Sequence, residues 1–446
     1  MSALVRRPPT TVLAHRSLDA KSLVAALDER QGAAFAAVRQ LAQEAGTPVY
    51  LVGGPVRDAL LGVPVLDLDF SVVGDALGLA LRLQSRLGGR LDRFPTFGTA
   101  SLSAEGLRVD LVTARRESYG RPGVLPQVMP GSIDDDLARR DFSINAMALL
   151  LNAPKGRLLD PLGGLADLEA GVVRSLHRQS FVDDPTRMMR AVRYEQRFGF
   201  SVDKATLDAI SSAVAAGHMG AVSGDRWRRE LERMLEETDP VAPLLRASRL
   251  GLLSGLHPAF DRLRMDDQGG LRRLDVLRKA GGGLEPEHCV AALFSPLSAP
   301  EAEAVIRRLN LTGRRAALAR DTIALKQSEP EIRRKSGIPS ELVRFLDDRE
   351  PEAVSAWAEL TLDEAVACAL RRYSTELRFV RPEVSGLMLR ELGYVPGPAV
   401  GETLGRLRDA RLEGAVKSRE EEIALARELL ERACLNPPSE GEGGKG

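Results

Sequence analysis

The stretch LVGGPVRDALLGVPVLDLDFSVVGD, residues 51–75, constrains the fold more than any other part of the chain. An apolar strand runs into Gly53-Gly54, a helical segment follows, and a second strand carries Asp67 and Asp69 two residues apart. Because side chains alternate along a strand, both carboxylates point to one face. The other face then carries apolar side chains that we expect in the core: Leu66, Leu68 and Phe70. Carboxylates on such a strand need a counter-charge, from a salt bridge or from a metal ion.

A third acid, Asp110, lies on another strand-like run, between Val109 and Leu111. Neighbouring carboxylates raise one another's pKa, and a divalent cation relieves that repulsion. Mg²⁺ prefers one or two carboxylates together with substrate phosphates. Asp67, Asp69 and Asp110 therefore predict a two-metal site for phosphoryl or nucleotidyl transfer. The alternative is a solvated strand edge with aspartates near turns.

The Gly53-Gly54 pair lets the backbone approach a ligand closely, and the next helix begins with free N–H groups. Arg57 lies three residues into that helix, where its guanidinium can contact a phosphate. The alternative is a strand–helix turn whose glycines only relieve crowding. The acid pair that follows 13 residues after Gly54 favours a ligand site.

The rest of the pattern predicts a mixed head followed by helices. Strands are expected at 48–52, 66–73, 99–103 and 107–112, and helices at 55–61 and 76–87. From about residue 181 onward the pattern is helical, with Gly and Pro punctuation and no further strands. The segment between Asp110 and Asp134 contains several prolines and glycines, which predicts a long, partly mobile loop.

Composition narrows the functional class. The chain has 446 residues, 44% of them apolar, and 62 basic residues balance 62 acidic ones. A neutral chain has no overall attraction to polyanions, so any such partner must be held by local patches. Three cysteines without ligand spacing indicate reduced thiols of a cytosolic protein. No run approaches 18 apolar residues, so neither export nor a membrane span is predicted.

Four motifs occur in order along the chain. They are GGPVRDALLG with DLDF, DDDLARRDFSINAMAL (134–149), DDPTRMMRAVRYEQRFGF (183–200) and VSGDRWRRELERML (222–235). Together they resemble the signatures of the class II tRNA nucleotidyltransferase and bacterial poly(A) polymerase family. The third motif is similar to the family's base-selecting segment. A chance match to four ordered motifs is very improbable.

The resemblance implies a role for each motif. Arg140, Asp141 and Asn145 would contact the triphosphate and ribose of the nucleotide. Asp184 and Arg187 would act as a protein template, the Asp accepting from an exocyclic amine and the Arg donating to the ring, so that C and A are chosen. The nucleotide-binding set implied is Gly54, Arg57, Arg140, Asp141, Asn145, Asp184, Arg187, Arg190 and Arg193, and the catalytic, metal-binding set is Asp67, Asp69 and Asp110.

The arginines of the third motif also have a plainer interpretation, a solvated basic helix face with i,i+3 and i,i+4 pairs. Arg190 and Arg193 would hold phosphates under the family interpretation. Steps of three residues lag an α-helix by about 60° each, however, so Arg193 points well away from Asp184.

The implied fold class is α+β, with a polymerase β-like nucleotidyltransferase head, a small mixed sheet with helices, followed by an all-helical neck, body and tail. The predicted divisions are a loose leader (1–25), the head (26–170), a nucleotide-selecting neck (171–240), a helical body (241–370), a helical, RNA-binding tail (371–434) and a disordered end (435–446).

The implied activity is template-independent addition of C, A or both from CTP and ATP to the 3′ end of tRNA in the cytoplasm, with Mg²⁺ and release of pyrophosphate. A poly(A) polymerase would keep the same residues, but the neutral charge argues against it. A non-catalytic RNA-binding protein is disfavoured by the intact acid and arginine set. Addition of CCA, only CC or only A stays open, although the untruncated 110–134 segment disfavours CC alone. The oligomeric state also stays open.

Overall fold

A computed structural model describes residue 23 and residues 25–124, 126–153, 157–265 and 269–435. The predicted leader and the predicted disordered end lie almost entirely outside these residues. The chain divides into two compact units, one running to Met265 and including Arg308–Asn310, and the other formed by the remaining residues from 266 onward. The finer domain boundaries at 170, 240 and 370 stay predictions.

The first unit is built on a mixed sheet with the strand order β3-β4-β5-β2-β1-β8-β9. Its strands are β1 (Val49–Val52), β2 (Leu68–Val72), β3 (Arg90–Phe94), β4 (Thr99–Ala104), β5 (Leu107–Thr113), β8 (Ala148–Leu150) and β9 (Arg157–Leu159). Two small ladders join β6 (Arg115–Ser118) to β7 (Gln127–Pro130) and β10 (Val172–Val173) to β11 (Ser201–Val202). The predicted α+β class is confirmed, and the four predicted strands correspond to β1, β2, β4 and β5.

Helices surround this sheet and continue beyond it. They are α1 (Glu29–Ala45), α2 (Gly54–Leu61), α3 (Ala76–Leu87), α4 (Ile133–Ala138), α5 (Gly164–Ala170), α6 (Ser180–Asp183), α7 (Arg187–Phe198), α8 (Lys204–Ala215), α9 (Gly224–Leu235), α10 (Val241–Arg249), α11 (Leu252–Leu256) and α12 (Arg262–Met265). Local chemistry sets several of their ends: α1 begins at a capping box between Asp28 and Gln31 and ends at Gly46, which adopts a left-handed conformation.

Strand alternation separates a core face of the sheet from a polar one. Leu68 and Phe70 are fully buried, and the ring of Phe35 from α1 lies 6.4 Å from that of Phe70. Asp69 points to the opposite face, in register with Asp110 on the neighbouring parallel strand β5. The sheet therefore buries its apolar side under α1 and α3 and presents carboxylates on the other side.

Leu66 does not follow the predicted alternation. It is 74% exposed, because β2 begins only at Leu68 and residues 63–67 form no regular structure. The prediction that Leu66 lies in the core is wrong. Asp67 also precedes the strand and is exposed, so its position comes from the connection into β2 and not from strand geometry.

Two further expectations are wrong. Strands do not end before residue 181, because β11 pairs in parallel with β10. Its Ser201 pairs with Val172, and the 28 residues between them make this a contact that local pattern cannot show. The segment expected to be a long loop contains the β6–β7 hairpin, with Glu117 opposite Val128. Glu117, its polar inner residue, pairs with Arg115 of the same hairpin and with Arg139 from elsewhere in the chain.

The second unit is helical throughout its described residues. Its helices are α13 (Gly270–Lys279), α14 (Pro286–Phe294), α15 (Ala299–Arg308, whose last residue belongs to the first unit), α16 (Gly313–Gln327), α17 (Glu329–Lys335), α18 (Pro339–Leu346), α19 (Pro351–Leu360), α20 (Glu364–Thr375), α21 (Gly386–Glu391), α22 (Pro398–Leu412) and α23 (Arg419–Leu435). Across the described part of the chain, none of the helices has the length and apolar composition needed to cross a membrane.

Gly164, at the start of α5, is predicted to be intolerant of a side chain. A Cβ built there lies 2.3 Å from the carbonyl oxygen of Ser143 and 2.9 Å from Met147, so Gly164→Ala overpacks the turn that carries Asn145. We expect the free energy of unfolding to fall by about 1–3 kcal/mol in urea denaturation.

The matched control is Gly32→Ala within α1, where a Cβ meets nothing within 4 Å. Alanine favours helix over glycine, so this variant should be more stable by about 0.5–1 kcal/mol. Equal effects of the two substitutions would contradict the close packing at Gly164.

Candidate active site

The turn between β1 and α2 is shaped by a glycine that leaves room for an arginine. Gly53 has a φ of 75°, and a Cβ added there would lie 2.5 Å from Nη1 of Arg140. The guanidinium of Arg140 therefore rests against the backbone at the N-terminus of α2. Its other contact is Asp136 on α4, at 3.1 Å. This geometry places a cation beside the free N–H groups of a helix start.

A cavity of about 550 Å³ opens beside this turn. It is lined by Gly54, Arg57, Asp69, Arg115, Glu117, Tyr119, Pro126, Arg139, Arg140, Asp141, Asn145, Asp184, Thr186, Arg187, Arg190, Tyr194, Arg197, Arg226, Arg229, Glu230 and Arg233. Ten of these residues are arginines and five are carboxylates, which gives the cavity an excess of positive charge. Such a cavity suits a polyanionic ligand with planar acceptor groups, such as a triphosphate.

Most of the predicted site residues meet in this cavity. Those that line it are Gly54, Arg57, Asp69, Arg140, Asp141, Asn145, Asp184, Arg187 and Arg190. Asp67, Asp110 and Arg193 are not among its lining residues. Asp110 nevertheless adjoins the cavity through its register with Asp69, whereas Arg193 is directed elsewhere.

The carboxylates on the sheet are in unfavourable surroundings. Burial raises the pKa of Asp69 to about 6, and the charges of Asp110 and Asp67 add to this, while Arg140 opposes it. Asp67 is exposed, but desolvation by the surrounding protein also raises its pKa, with Arg108 opposing and Asp110 reinforcing the shift. Asp110 itself pairs with Arg108, whose Nη2 lies 3.0 Å from Oδ2.

A divalent cation would suit this donor set. Two carboxylates in register, one with a pKa raised by burial and by its neighbours, are hard oxygen donors with too little counter-charge. Within the described residues, however, no group of three or more His, Cys, Asp or Glu side chains is already arranged as a metal site. The side chains of Asp67, Asp69 and Asp110 would have to converge, and Arg108 would have to leave Asp110.

A hydrogen-bonded chain connects α2 to α7 through the second motif. Arg57 donates to Oδ1 of Asn145 at 2.5 Å, and Asn145 donates to Oδ1 of Asp141 at 3.0 Å. Arg190 then pairs with Oδ2 of Asp141 at 2.6 Å. Burial favours the neutral form of Asp141, but Arg190 and Asn145 prevail and hold the pKa of that carboxyl well below its usual range. The network fixes two of the arginines that face the cavity.

Arg193 has a different environment. It is buried, its Nη1 lies 3.5 Å from Oε1 of Glu237, and its guanidinium lies 4.9 Å from the centre of the Tyr194 ring. The predicted rotation of Arg193 away from Asp184 agrees with this placement. Arg193 stays a predicted nucleotide ligand. In this structure its side chain contacts Glu237 and Tyr194 and does not line the cavity.

Asp184 and Arg187, the two residues expected to select the base, are held in place by different neighbours. Oδ1 of Asp184 accepts from the hydroxyl of Thr186 at 2.6 Å and pairs with Nη2 of Arg226 at 2.8 Å. Arg187 donates to Oγ of Ser180 at 2.8 Å and to the carbonyl of Arg139 at 2.6 Å. Both side chains are thus oriented before any ligand contact, which limits the entropy lost on binding.

The β6–β7 hairpin is connected to both of these residues. Nη1 of Arg226 donates to the carbonyl of Gly123 at 3.0 Å, so one arginine contacts the hairpin and Asp184 together. On the other side Glu117 accepts from Tyr119 at 2.8 Å and pairs with Arg139 at 3.2 Å. These residues were missed from the sequence, although Arg226 lies in the fourth motif, VSGDRWRRELERML.

Comparisons with known proteins agree with this geometry. Residues 49–174 match the family model described as the poly A polymerase head domain. Residues 199–263 match the model described as the probable RNA and SrmB-binding site of polymerase A. The two matches contain the sheet carboxylates, the second motif and the fourth motif.

Several tRNA nucleotidyltransferases are similar to this chain over most of its length. An A-adding tRNA nucleotidyltransferase of Geobacter sulfurreducens is 35% identical over 88% of the chain, which spans only 46% of that enzyme. An A-adding enzyme of Halalkalibacterium halodurans is 33% identical, with coverage of 86% of the chain and 88% of the relative. A CC-adding enzyme of Deinococcus radiodurans is 37% identical, with coverage of 88% and 93%.

Solved structures of CCA-adding enzymes are also similar to this chain over most of its length. The Thermotoga maritima CCA-adding enzyme complexed with tRNA is 30% identical, with a TM-score of 0.70 over 93% of this chain and 99% of that one. CCA-adding enzyme complexes with ATP and with CTP are both 29% identical over 96% of this chain and 99% of theirs, with TM-scores of 0.71 and 0.69.

Replacing Asp69 by Asn should stabilise the protein in EDTA. A carboxyl whose pKa is raised to about 6 on folding destabilises the folded state, by an amount that grows between about pH 4 and 6 and is complete above 6. We expect Asp69→Asn to increase the free energy of unfolding by about 1–3 kcal/mol at pH 7.5, and by little at pH 4.5, in urea denaturation.

Asp141→Asn is the matched comparison, because its pKa is shifted in the opposite direction. Removing that charge leaves the partly buried Arg190 uncompensated and should lower the free energy of unfolding at pH 7.5 by about 2–4 kcal/mol. The stabilising effect of Asp141 is present above the usual carboxyl pKa and is lost as the pH falls below it. Shifts of the same sign in both variants would contradict these environments.

Proposed function

Because the chain belongs to the class II tRNA nucleotidyltransferase family, we propose that it adds C, A or both to the 3′ end of tRNA from CTP and ATP. The 3′-hydroxyl oxygen of the RNA forms a bond to the α-phosphorus of the nucleotide, and the bond from that phosphorus to the bridging oxygen breaks. Pyrophosphate leaves, and the hydroxyl proton goes to solvent. The observation that carries the proposal is the arginine-rich cavity with Asp69 at its edge and Asp110 in register beside it.

The triphosphate is the ligand for the arginines that the second and third motifs bring to the cavity. Arg140, whose guanidinium rests against the turn before α2, and Arg190, oriented by Asp141, are the proposed phosphate contacts. The backbone of Gly54 lies open at the same point, since its nearest side-chain neighbour, Arg57, is 3.6 Å from a built Cβ. Asp141 and Asn145, which already bond each other, are the proposed ribose contacts.

Nucleotidyltransferases of this kind use a divalent metal ion, and we propose Mg²⁺ for this chain. Asp67, Asp69 and Asp110 are the proposed ligands. When bound, the ion would lower the pKa of the attacking hydroxyl and neutralise charge on the leaving pyrophosphate. The raised pKa of Asp69 supports this role, because a carboxylate that lacks counter-charge binds a cation more readily.

Base selection is assigned to Asp184 and Arg187. An ionised Asp184 accepts from the amino group that C and A share, and Arg187 donates to ring acceptors. U and G place a carbonyl where that amino group would be, so they leave Asp184 facing another acceptor. The fixed orientation of both side chains supports this assignment.

The proposed acceptor is tRNA, and the proposed location is the cytoplasm. Relatives named for addition of A and for addition of CC are about equally similar to this chain, so the number and kind of nucleotides added are decided only by experiment. Among the described residues, Cys289 and Cys368 form no disulfide, which supports a reducing compartment.

The deciding assay offers labelled CTP or ATP, with Mg²⁺, to tRNA transcripts that lack CCA, end in C or end in CC. An unrelated RNA runs beside them. We expect incorporation on at least one tRNA end and none on the unrelated RNA. CCA completion would identify a full CCA-adding enzyme, while activity limited to CTP, or to ATP on the CC end, would identify a partial one.

Two results would contradict the proposal. Long A-tails on the unrelated RNA would identify a poly(A) polymerase, and absence of incorporation would identify a binding protein. Asp110→Asn should lower kcat by at least about 10²–10³-fold, since it removes one electrostatic stabiliser of the transition state. Asp92→Asn, on the same face two strands away, should retain activity, because the neighbouring Arg90 is the one charged partner of Asp92 among the described residues.

Arg226 should determine how strictly the base is selected. Arg226→Ala releases Asp184 from its 2.8 Å ion pair and from the hairpin, so the acceptor for the amino group becomes mobile. We expect the ratio of kcat/KM for CTP over UTP to fall by about 10- to 100-fold in single-nucleotide incorporation on the tRNA end.

Arg229→Ala is the control for that measurement. Arg229 also lines the cavity from α9, so its loss should weaken CTP and UTP alike through reduced positive charge. Unchanged CTP/UTP selectivity in Arg226→Ala would refute the role of Arg226.

A further inference from the structure

Arg108 contacts the carboxylate of Asp110, two residues further along β5. Its Nε lies 3.2 and 3.1 Å from the two carboxylate oxygens, and its Nη2 lies 3.0 Å from Oδ2. The guanidinium therefore faces both oxygens that a cation would use. The Arg108 side chain is 58% exposed and that of Asp110 is 20% exposed, so the arginine can swing away without unpacking the core.

The same guanidinium also acts on the other two carboxylates. Asp69 faces Asp110 across the two parallel strands, and Arg108 lies two residues before Asp110 on the same face of β5. The Arg108 guanidinium is also close enough to the Asp67 and Asp69 carboxylates for their charges to interact with it. One side chain is thus a shared counter-charge for all three proposed metal ligands.

An ion pair of this kind is weak and replaceable. Exposed pairs between arginine and carboxylate contribute little, and salt screens them. A divalent cation carries twice the charge and fits between carboxylates that a guanidinium can only border. Cation binding and the Arg108 contact therefore compete for the same oxygens of Asp110.

We propose that Arg108 is the exchangeable counter-cation of the carboxylate site, bound to Asp110 until a divalent metal ion displaces it. This inference rests on the proposed metal site. Its consequence is that the protein binds a free metal ion weakly, since each ion must first displace the guanidinium. A metal ion that arrives with a nucleotide gains phosphate ligands as well, so joint uptake is favoured over uptake of metal alone.

The test measures Mn²⁺ binding to the full chain without nucleotide, by electron paramagnetic resonance of the free ion. Arg108→Ala should bind Mn²⁺ about three- to tenfold more tightly than the wild type, the size expected for one positive charge removed from a partly exposed site. Arg108→Lys, which keeps the charge, should stay close to the wild type. Asp110→Asn should bind more weakly.

Arg90→Ala is the matched control. Arg90 pairs with Asp92 two residues along β3, with Nη2 3.0 Å from Oδ1, so it has the same kind of contact on the same face without touching a proposed ligand. Its Mn²⁺ affinity should equal that of the wild type. Thermal denaturation supplies a second readout: Arg108→Ala should have a lower Tm than the wild type in EDTA and an equal Tm with saturating Mn²⁺.

The outcomes separate this inference from the proposed function. If Asp110→Asn weakens Mn²⁺ binding but Arg108→Ala binds as the wild type does, the role of Arg108 is refuted and the metal site stands. A Tm deficit of Arg108→Ala that persists with Mn²⁺ would show a merely structural arginine and also refute it. If Mn²⁺ binding to the wild type does not depend on Asp110, both the inference and the proposed metal ligands are refuted.

Discussion

The ion pair between the buried Asp141 and the partly buried Arg190 is the interaction on which the site depends. It joins the middle of the second motif to helix α7, and through Asn145 it reaches Arg57 on α2. Because these contacts are buried or partly buried, each is stronger than at the surface, and loss of one partner weakens the support of the other. The arginines around the cavity are held in place by this network before a ligand arrives, so binding costs little reorganisation.

The site treats its carboxylates in two opposite ways. Hydrogen bonds and positive charge around Asp141 stabilise its ionised form more than burial destabilises it. The pKa of Asp141 is therefore held low, and the carboxylate is fixed in place. Asp69 has less compensating positive charge around it, so its pKa is raised and its anionic form is destabilised. Uncompensated charge of that kind is usual where a protein binds a cation or performs proton chemistry. The second motif thus holds the carboxylate that its neighbours stabilise, and the strand holds the one that lacks counter-charge.

The sequence was sufficient where the signal was local. Strand, Gly-Gly turn, helix and second strand follow from periodicity and glycine positions. The helical period already turned Arg193 away from the residues proposed to select the base. Leu66 was misjudged because the strand starts two residues later than its apolar pattern suggests. The hairpin was missed because Glu117 is stabilised by Arg139, a partner that no local pattern reveals.

The parallel pairing of β2 with β5 makes the proposed metal site depend on the slowest kind of contact in the fold. Asp69 and Asp110 become neighbours only when two strands, separated along the chain by α3 and by strands β3 and β4, close in a single register. Loop-closure entropy delays such non-local pairing, and a slip by one residue would send one carboxylate into the core. A partly folded chain can therefore possess the hairpin and the helices and still have no site. Under the proposed metal site, recovery of activity after dilution from denaturant should follow the formation of this one register and not the return of helix.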